Sequence, residues 1–327
     1  MDPSPHPYAA LAPETVLTAV ETLGLTSNGR LLALNSYENR VYQVGLDGAE
    51  PLVVKFYRPG RWSDQAILEE HAFAAELVGY EIPVVAPLPF TGATLHYHQG
   101  FRYAVFPRRG GRSPELDDPD CRVRLGRFLG RIHAVGASRA FAHRPALGIA
   151  DYGEAPRRYL LEQGFIPAHL VSAYETLSRD LLAAIRRCYA RVDGLRQLRL
   201  HGDCHLGNIL WTEAGPHFVD LDDCLRGPAI QDLWMLLSGS RAEMTLQLSD
   251  LLAGYEDFYE LDRRELVLVE ALRTLRMMNY SAWLARRWSD PAFPLAFPWF
   301  GSDRYWEEHV LALREQAAAL DEPPLVV

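Results

Sequence analysis

Between Leu198 and Asp223 the chain alternates short apolar runs with polar loops, a pattern that admits few folds. Leu198-Arg199-Leu200 precedes a loop holding His201, Asp203, His205 and Asn208, and Ile209-Leu210-Trp211 follows it. A turn at Glu213-Ala214-Gly215-Pro216 leads to Phe218-Val219 and straight into Asp220, Asp222 and Asp223. Apolar runs this short, set between turn residues, read as strands joined by loops and hairpins. The expected order is strand, loop, strand, turn, strand and acidic exit, which brings Asp203, Asn208 and Asp220 to one end of a small sheet. A carboxylate to take a proton, with an amide and a second carboxylate for a hard cation, is the equipment of phosphoryl transfer.

A second feature lies far upstream. Lys55 is the only lysine in the chain, and the other 32 of the 33 basic residues are arginine. It sits in the apolar run Leu52-Val53-Val54-Lys55-Phe56. A chain so biased toward arginine has kept lysine either by chance on a surface strand or because a compact ammonium fits where a planar guanidinium does not.

The rest of the chain supplies a frame for these two features. A helix is expected from Pro13 to Glu21. Residues 30 to 106 hold about five strands: Arg30–Ala33, Val41–Val44, Leu52–Tyr57, Thr94–Tyr97 and Arg102–Phe106. Asp47-Gly48 is a hairpin signal, and the helix Asp64–Leu77 falls between the third and fourth strands with Glu69 and Glu70 at its middle. Pro107-Arg108-Arg109-Gly110-Gly111-Arg112 breaks the pattern and is the expected hinge. Beyond it, helices are expected over Cys121–Val135, Ala168–Val192, Ala229–Leu237, Leu246–Tyr259, Arg264–Trp288 and Tyr305–Leu320. The fold class is therefore α+β, with a strand-rich first part, 1–107, and a mostly helical second part, 108–327.

Each task of phosphoryl transfer has a candidate residue. Lys55 can pair with phosphates, and Glu70 or Glu69 on the next helix can hold it in place. Backbone N–H groups of the loop Asn35 to Asn39, with the Ser36 hydroxyl, can cover phosphates. Asp203 would take or orient the hydroxyl proton, and Asn208 and Asp220 would hold Mg²⁺ through oxygen. Simpler roles exist for each: a turn at Asn35-Ser36, a solvated helix face at Glu70, loop capping at Asp203 and Asn208. His201 orients the loop, while His205 lies either behind Asp203 or near the phosphates. Asp222 and Asp223 are solvated or tie the loop down, and Asp232 braces the loop through backbone N–H groups. The four cysteines form no CxxC pair, so free thiols in a reducing cytoplasm are expected.

The net charge of −9 argues against nucleic-acid binding by phosphate neutralisation. No apolar run approaches the roughly 18 to 20 residues that span a bilayer. The first residues, MDPSPHPYAALAPE, lack the basic start and apolar core of a secretion leader.

Taken together, His201-Gly202-Asp203-x-His205-x-Gly207-Asn208-Ile209-Leu210, Val219-Asp220 and Asp232-Leu233 resemble the aminoglycoside phosphotransferase and choline kinase branch of the protein-kinase-like fold. The likeness runs from about residue 30 to Pro324. The runs Leu34 to Tyr42, Val53 to Pro59, Asp220 to Asp223 and Arg287 to Pro294 look closer still to a bacterial stress-response branch of that family. The resemblance implies a bilobal fold, with a small antiparallel-sheet lobe carrying one helix and a larger helical lobe, ATP in the cleft and Mg²⁺ as cofactor. It implies Asp203 as proton acceptor, Asn208 and Asp220 on Mg²⁺, Ser36 on ATP, and backbone groups of Val105 and Phe106 on adenine. It further implies a monomeric, cytoplasmic Ser/Thr protein kinase of stress protection, acting on protein, itself included, with no nucleic-acid or membrane partner. Three features differ from ordinary protein kinases. The loop at Asn35 to Asn39 has no glycine, Asp-Leu-Asp stands for Asp-Phe-Gly, and only 11 residues separate Asp220 from Asp232. That spacing leaves no room for a regulated activation loop. Two other readings of the same residues remain: a kinase of a small, cationic hydroxyl compound, and a metal hydrolase built on His201, Asp203 and His205.

Overall fold

The computed structural model describes residues 6–327, so the first five residues of the stretch read for a secretion leader lie outside it. The chain divides into two compact units that are discontinuous in sequence. The first comprises Met1–Leu116, Phe141–Arg144 and Asp203–Cys224; the second comprises Asp117–Ala140, Pro145–Gly202 and Leu225–Val327. A single cut at 107/108 assigns the segment 203–224 to the second part, whereas this division groups it with the first.

In the first unit, helix α1 (Pro13–Glu21) precedes β1 (Ser27–Ala33), β2 (Arg40–Leu46) and β3 (Ala49–Phe56). Helix α2 (Asp64–Gly79) follows, then β4 (His96–His98) and β5 (Phe101–Pro107). The five strands form one antiparallel sheet in the order β1-β2-β3-β5-β4. Strand alternation sends Val54 and Phe56 into a core with Val16, Val20, Phe101 and Tyr103. Side chains of this size contribute about 1.5–3 kcal/mol each when fully buried. Lys55, between them in sequence, necessarily points to the opposite face. Helix α2 starts where Ser63 Oγ accepts from the Ala66 amide at 3.2 Å, satisfying one of the donors that a helix start leaves open. Its buried stripe carries Ile67, Glu70, Phe73 and Ala74.

Also in the first unit, β7 (Ile209–Thr212) and β8 (Gly215–Phe218) form a hairpin closed by a two-residue turn. Arg112 and Trp211 exchange backbone hydrogen bonds at 3.0 and 2.7 Å along one edge. Along the other edge the Phe218 amide donates to Pro83, and Phe218 accepts from the Val85 amide. These bonds explain why a segment distant in sequence belongs to this unit.

The second unit is mostly helical: α3 (Pro119–Gly136), α4 (Ala155–Glu162), α5 (Val171–Ala190), α6 (Ile230–Trp234), α7 (Arg241–Tyr255), α8 (Val269–Arg287), α9 (Ala292–Ala296) and α10 (Asp303–Asp321). Strands β6 (Leu198–Leu200) and β9 (Leu225–Gly227) pair with each other here. The expected single small sheet is therefore two separate two-stranded ribbons, since β6 pairs with β9 and not with the hairpin. Helices α3 and α7 approach so closely that a Cβ on Gly126, Gly130 or Gly254 would meet the facing backbone.

Most expected helices are present, with shifts that have local causes. Helix α7 begins earlier than the apolar spacing suggests, because Ser240 and Glu243 form a capping box. The expected helix Arg264–Trp288 opens as a 3₁₀ turn over Arg263–Leu268 before α8 begins. Helix α4 and the short α9 were not anticipated. Among the described residues no helix is long and apolar enough to cross a membrane.

Candidate active site

Lys55 is 5% exposed and stands among three carboxylates. Its Nζ lies 2.9 Å from Asp220 Oδ1, 3.3 Å from Asp222 Oδ1 and 3.6 Å from Glu70 Oε1. Below it, the Tyr57 ring centroid is 5.1 Å away. Burial alone would strip the ammonium of its proton, but Asp220, Asp222 and Glu70 reverse this and hold its pKa well above the ordinary lysine value. One ammonium shared by three carboxylates only partly offsets burial for Glu70, whose carboxyl is pushed up to about 7. Among the described residues, the second Glu70 oxygen, Oε2, has no hydrogen-bond partner.

The choice left open between Glu69 and Glu70 is decided by helix geometry. Glu70 lies on the buried stripe of α2 and meets Lys55. Glu69, about 100° further back around the helix, instead accepts from the amides of Ala142, His143 and Arg144 at 2.6, 2.7 and 2.9 Å.

Asp220 follows β8 in the left-handed region, φ 58°, a conformation that Asp tolerates better than most residues. Its side chain is 53% exposed, unlike that of Asp222 at 3%. Asp222 forms ion pairs with Arg61 and Lys55 and accepts from Asn39 Nδ2 at 3.0 Å. Burial would raise its pKa, but Lys55, Arg61 and Arg144 outweigh that and hold it below the ordinary carboxylate range. Asp223 pairs with Arg61. Of the two readings for these residues, tying down the loop is the one this arrangement shows.

The loop from Asn35 to Asn39 keeps its shape without glycine because arginines and Asn39 hold its polar groups. Arg40 donates to Tyr37 O at 3.0 Å, and Arg58 Nε donates to Glu38 O at 2.9 Å. Asn39 Oδ1 accepts from the Arg58 amide at 3.1 Å, and Ser36 Oγ donates to Asn39 O at 3.2 Å.

Asn208 ends a 3₁₀ turn and donates its Nδ2 to the Asp203 carbonyl at 2.9 Å, which leaves Oδ1 as its side-chain acceptor. The His205 ring accepts from the Gly207 amide at Nδ1, 2.9 Å, so the neutral ring carries its proton on Nε2. That nitrogen is 3.5 Å from Asp203 Oδ2, and of the two places open to His205 it takes the one behind Asp203. In the second unit, Asp232 accepts from the amides of His201 and Gly202 at 2.9 Å each and lies 3.1 Å from His133 Nε2. This is the bracing expected of it, applied to the two residues that precede Asp203.

Lys55, Glu70, Ser36, Asn208 and Asp220 all line one cavity of about 380 Å³, with Phe106, Pro107 and Arg109 on its wall. That size suits a small organic ligand. Val105 requires a correction. Its side chain is fully buried and its carbonyl accepts from the Leu88 amide at 2.7 Å, so the chain edge at the cavity is Phe106–Pro107. Asp203 is not on the cavity wall; it stands on the loop beside Asn208. Among the described residues no three His, Cys, Asp or Glu side chains gather as a metal site. Sequence reasoning missed Asn39, Arg58, Arg61 and Arg144. In a chain with 32 arginines, no single arginine stands out.

A model of the phosphotransferase enzyme family matches residues 30–267. The chain belongs to this family. Stress response kinase A of Escherichia coli strain K12 is 47% identical over 325 residues, 99% of this chain and 98% of that protein. Serine/threonine protein kinase RdoA of Salmonella typhimurium is 48% identical over the same shares. The resemblance read from the motifs therefore holds, both for the phosphotransferases and for their stress-response branch. Among solved structures, amicoumacin kinase hAmiN in complex with AMP-PNP, Ca²⁺ and Ami has a TM-score of 0.71 at 20% identity, covering 95% of this chain and 94% of that one. A microcompartment-associated aminopropanol kinase has a TM-score of 0.70 at 19% identity, covering 93% and 98%. These likenesses bear on the fold, and the expected protein-kinase-like class with its antiparallel sheet and helical part is the one found.

Proposed function

We propose that this phosphotransferase moves the γ-phosphoryl group of ATP, with Mg²⁺, to Ser or Thr hydroxyls of protein, itself among the acceptors, as a monomeric cytoplasmic enzyme of stress protection. The observation that carries the reading is Lys55, held charged between Glu70, Asp220 and Asp222 on the wall of a nucleotide-sized cavity. When phosphates enter, Lys55 pairs with them while Glu70 keeps it aimed. Ser36 and the loop N–H groups cover the phosphates. Pro107 has no N–H, so at the adenine edge it can only accept, and the next donor in the chain is the Arg108 amide. Asn208 Oδ1 and Asp220 are the oxygen donors that would hold Mg²⁺. Bound there, Mg²⁺ would neutralise phosphate charge. Asp203, with the His205 Nε2–H behind it, orients the acceptor hydroxyl and takes its proton.

The protein acceptor is supported by one relative named as a serine/threonine protein kinase, 48% identical over 99% of this chain. Purified protein with labelled ATP, Mg²⁺ and a generic protein substrate is expected to transfer label. Asp203→Ala should lower that transfer about 10²- to 10⁴-fold and leave ATP binding intact. Undiminished transfer in Asp203→Ala would remove that residue from the chemistry. Labelling of a small hydroxyl compound, with none of any protein, would replace the protein acceptor by a small one.

A further inference from the structure

The two adjacent glutamates of α2 do different work, and the one not facing Lys55 has an arrangement that its reaction role does not require. The Glu69 carboxylate receives three successive backbone amides, those of Ala142, His143 and Arg144. Successive N–H groups converging on one anion form a nest, and here the anion is a side chain of the same protein. Burial raises the Glu69 pKa, and the three amides more than cancel this, keeping it ionised. The segment so held, Phe141–Arg144, belongs to the first unit although the residues on either side of it do not. It is fixed at two further points. Phe141 packs edge-on against Phe73 of α2 with ring centroids 5.3 Å apart. Arg144 Nε donates to the Cys224 carbonyl at 2.8 Å, its second nitrogen bonds the Asp222 carbonyl, and its guanidinium stacks on Trp62 at 4.1 Å.

We infer that Glu69, residues 141–144 and Arg144 form a fixed strap that sets the position of α2, and with it Glu70, against the Asp220–Asp223 segment. Glu69 and Arg144 are thus positioning residues for Lys55, acting through the helix and through the Asp222 backbone. The strap does continuously what a modified activation loop does in a switched kinase, and the 11 residues between Asp220 and Asp232 leave no room for such a loop. The inference rests on the phosphotransferase reading of this site.

The test uses the full chain and Glu69→Gln, which keeps the length of the side chain but replaces one acceptor oxygen by a donor facing the amides. The turnover number is expected to fall roughly 10- to 100-fold, as a small displacement of a catalytic group does, with a smaller change in KM for ATP. In a Glu70→Gln background the same change should cost little more, because both act on Lys55 through one helix. Leu248→Ala, in the core of the second unit, serves as a control of lowered Tm with unchanged turnover. Hydrogen exchange of the ligand-free protein should quicken at the α2 amides and at residues 142–144 in Glu69→Gln. Unchanged exchange in α2, or a loss of turnover fully additive with Glu70→Gln, would overturn the strap. A wild type that transfers no phosphate, with α2 exchange still quickened by Glu69→Gln, would overturn the reaction and leave the strap standing.

Discussion

Two groups of carboxylates, one beside the cavity of the first unit and one in the second unit, are satisfied differently. In the first, Asp220, Asp222 and Glu70 face the side-chain cation of Lys55, and Asp222 also faces Arg61. In the second, Asp232 and Glu265 face backbone amides: those of His201 and Gly202 for Asp232, and that of Ile230 at 2.8 Å for Glu265. A side-chain ammonium can leave one anion for another, so the first arrangement can trade a carboxylate for a phosphate. A backbone amide cannot leave without unfolding its loop, so the second arrangement holds shape. The difference separates the carboxylates suited to chemistry from those that support it, although all but Asp220 are buried.

The largest effect that would sharpen this contrast is Lys55→Met. Transfer should fall by at least about 10²- to 10³-fold, while thermal melting moves little, because Arg61 still holds Asp222 and Glu70 takes up a proton. A melting loss as large as that of a gutted core would break the contrast. Next comes Asp232→Ala, expected to cost about 2–4 kcal/mol in denaturant unfolding, since two buried amides lose their acceptor. Stability equal to the wild type would show that Asp232 is no brace. The smallest effect is Glu265→Gln, seen only against pH. Burial pushes Glu265 up to about 7, against the pull of the Ile230 amide. A carboxyl with a raised folded pKa keeps its proton longer in the folded state, so it costs stability as pH climbs from its unfolded value near 4.5 to about 7. Glu265→Gln lacks that penalty. Its Tm should match the wild type near pH 4 and exceed it by a growing margin as pH climbs to 8.

The parts of this molecule that the sequence makes legible are those set by near neighbours. Alternation and turn residues place the five strands and α2 within a few residues, and the lone lysine among valines marks β3. Asn208 and Asp220 are legible as neighbours on one cavity because they share one short segment, whereas Asp203 of the same segment stands off the cavity wall. The pairing of Arg61 with Asp222, 161 positions apart, is not legible, nor is the attachment of residues 142–144 to Glu69, 73 positions or more away. Such contacts depend on how the finished units close, and one arginine among 32 carries no local signal. Val105, which the resemblance placed on adenine, lies off the cavity wall for a related reason: the Leu88 amide, 17 positions back, donates to its carbonyl.

The chain carries a single ε-amine, and its residue lines the wall of the cavity. Any acylating reagent can therefore modify at most one side-chain amine per molecule, and the mass of the peptide that carries Lys55 reports its occupancy. Because three anions keep Lys55 protonated, the rate of that modification reports how readily the amine gives up its proton in the site, and the protein comes with its own reporter.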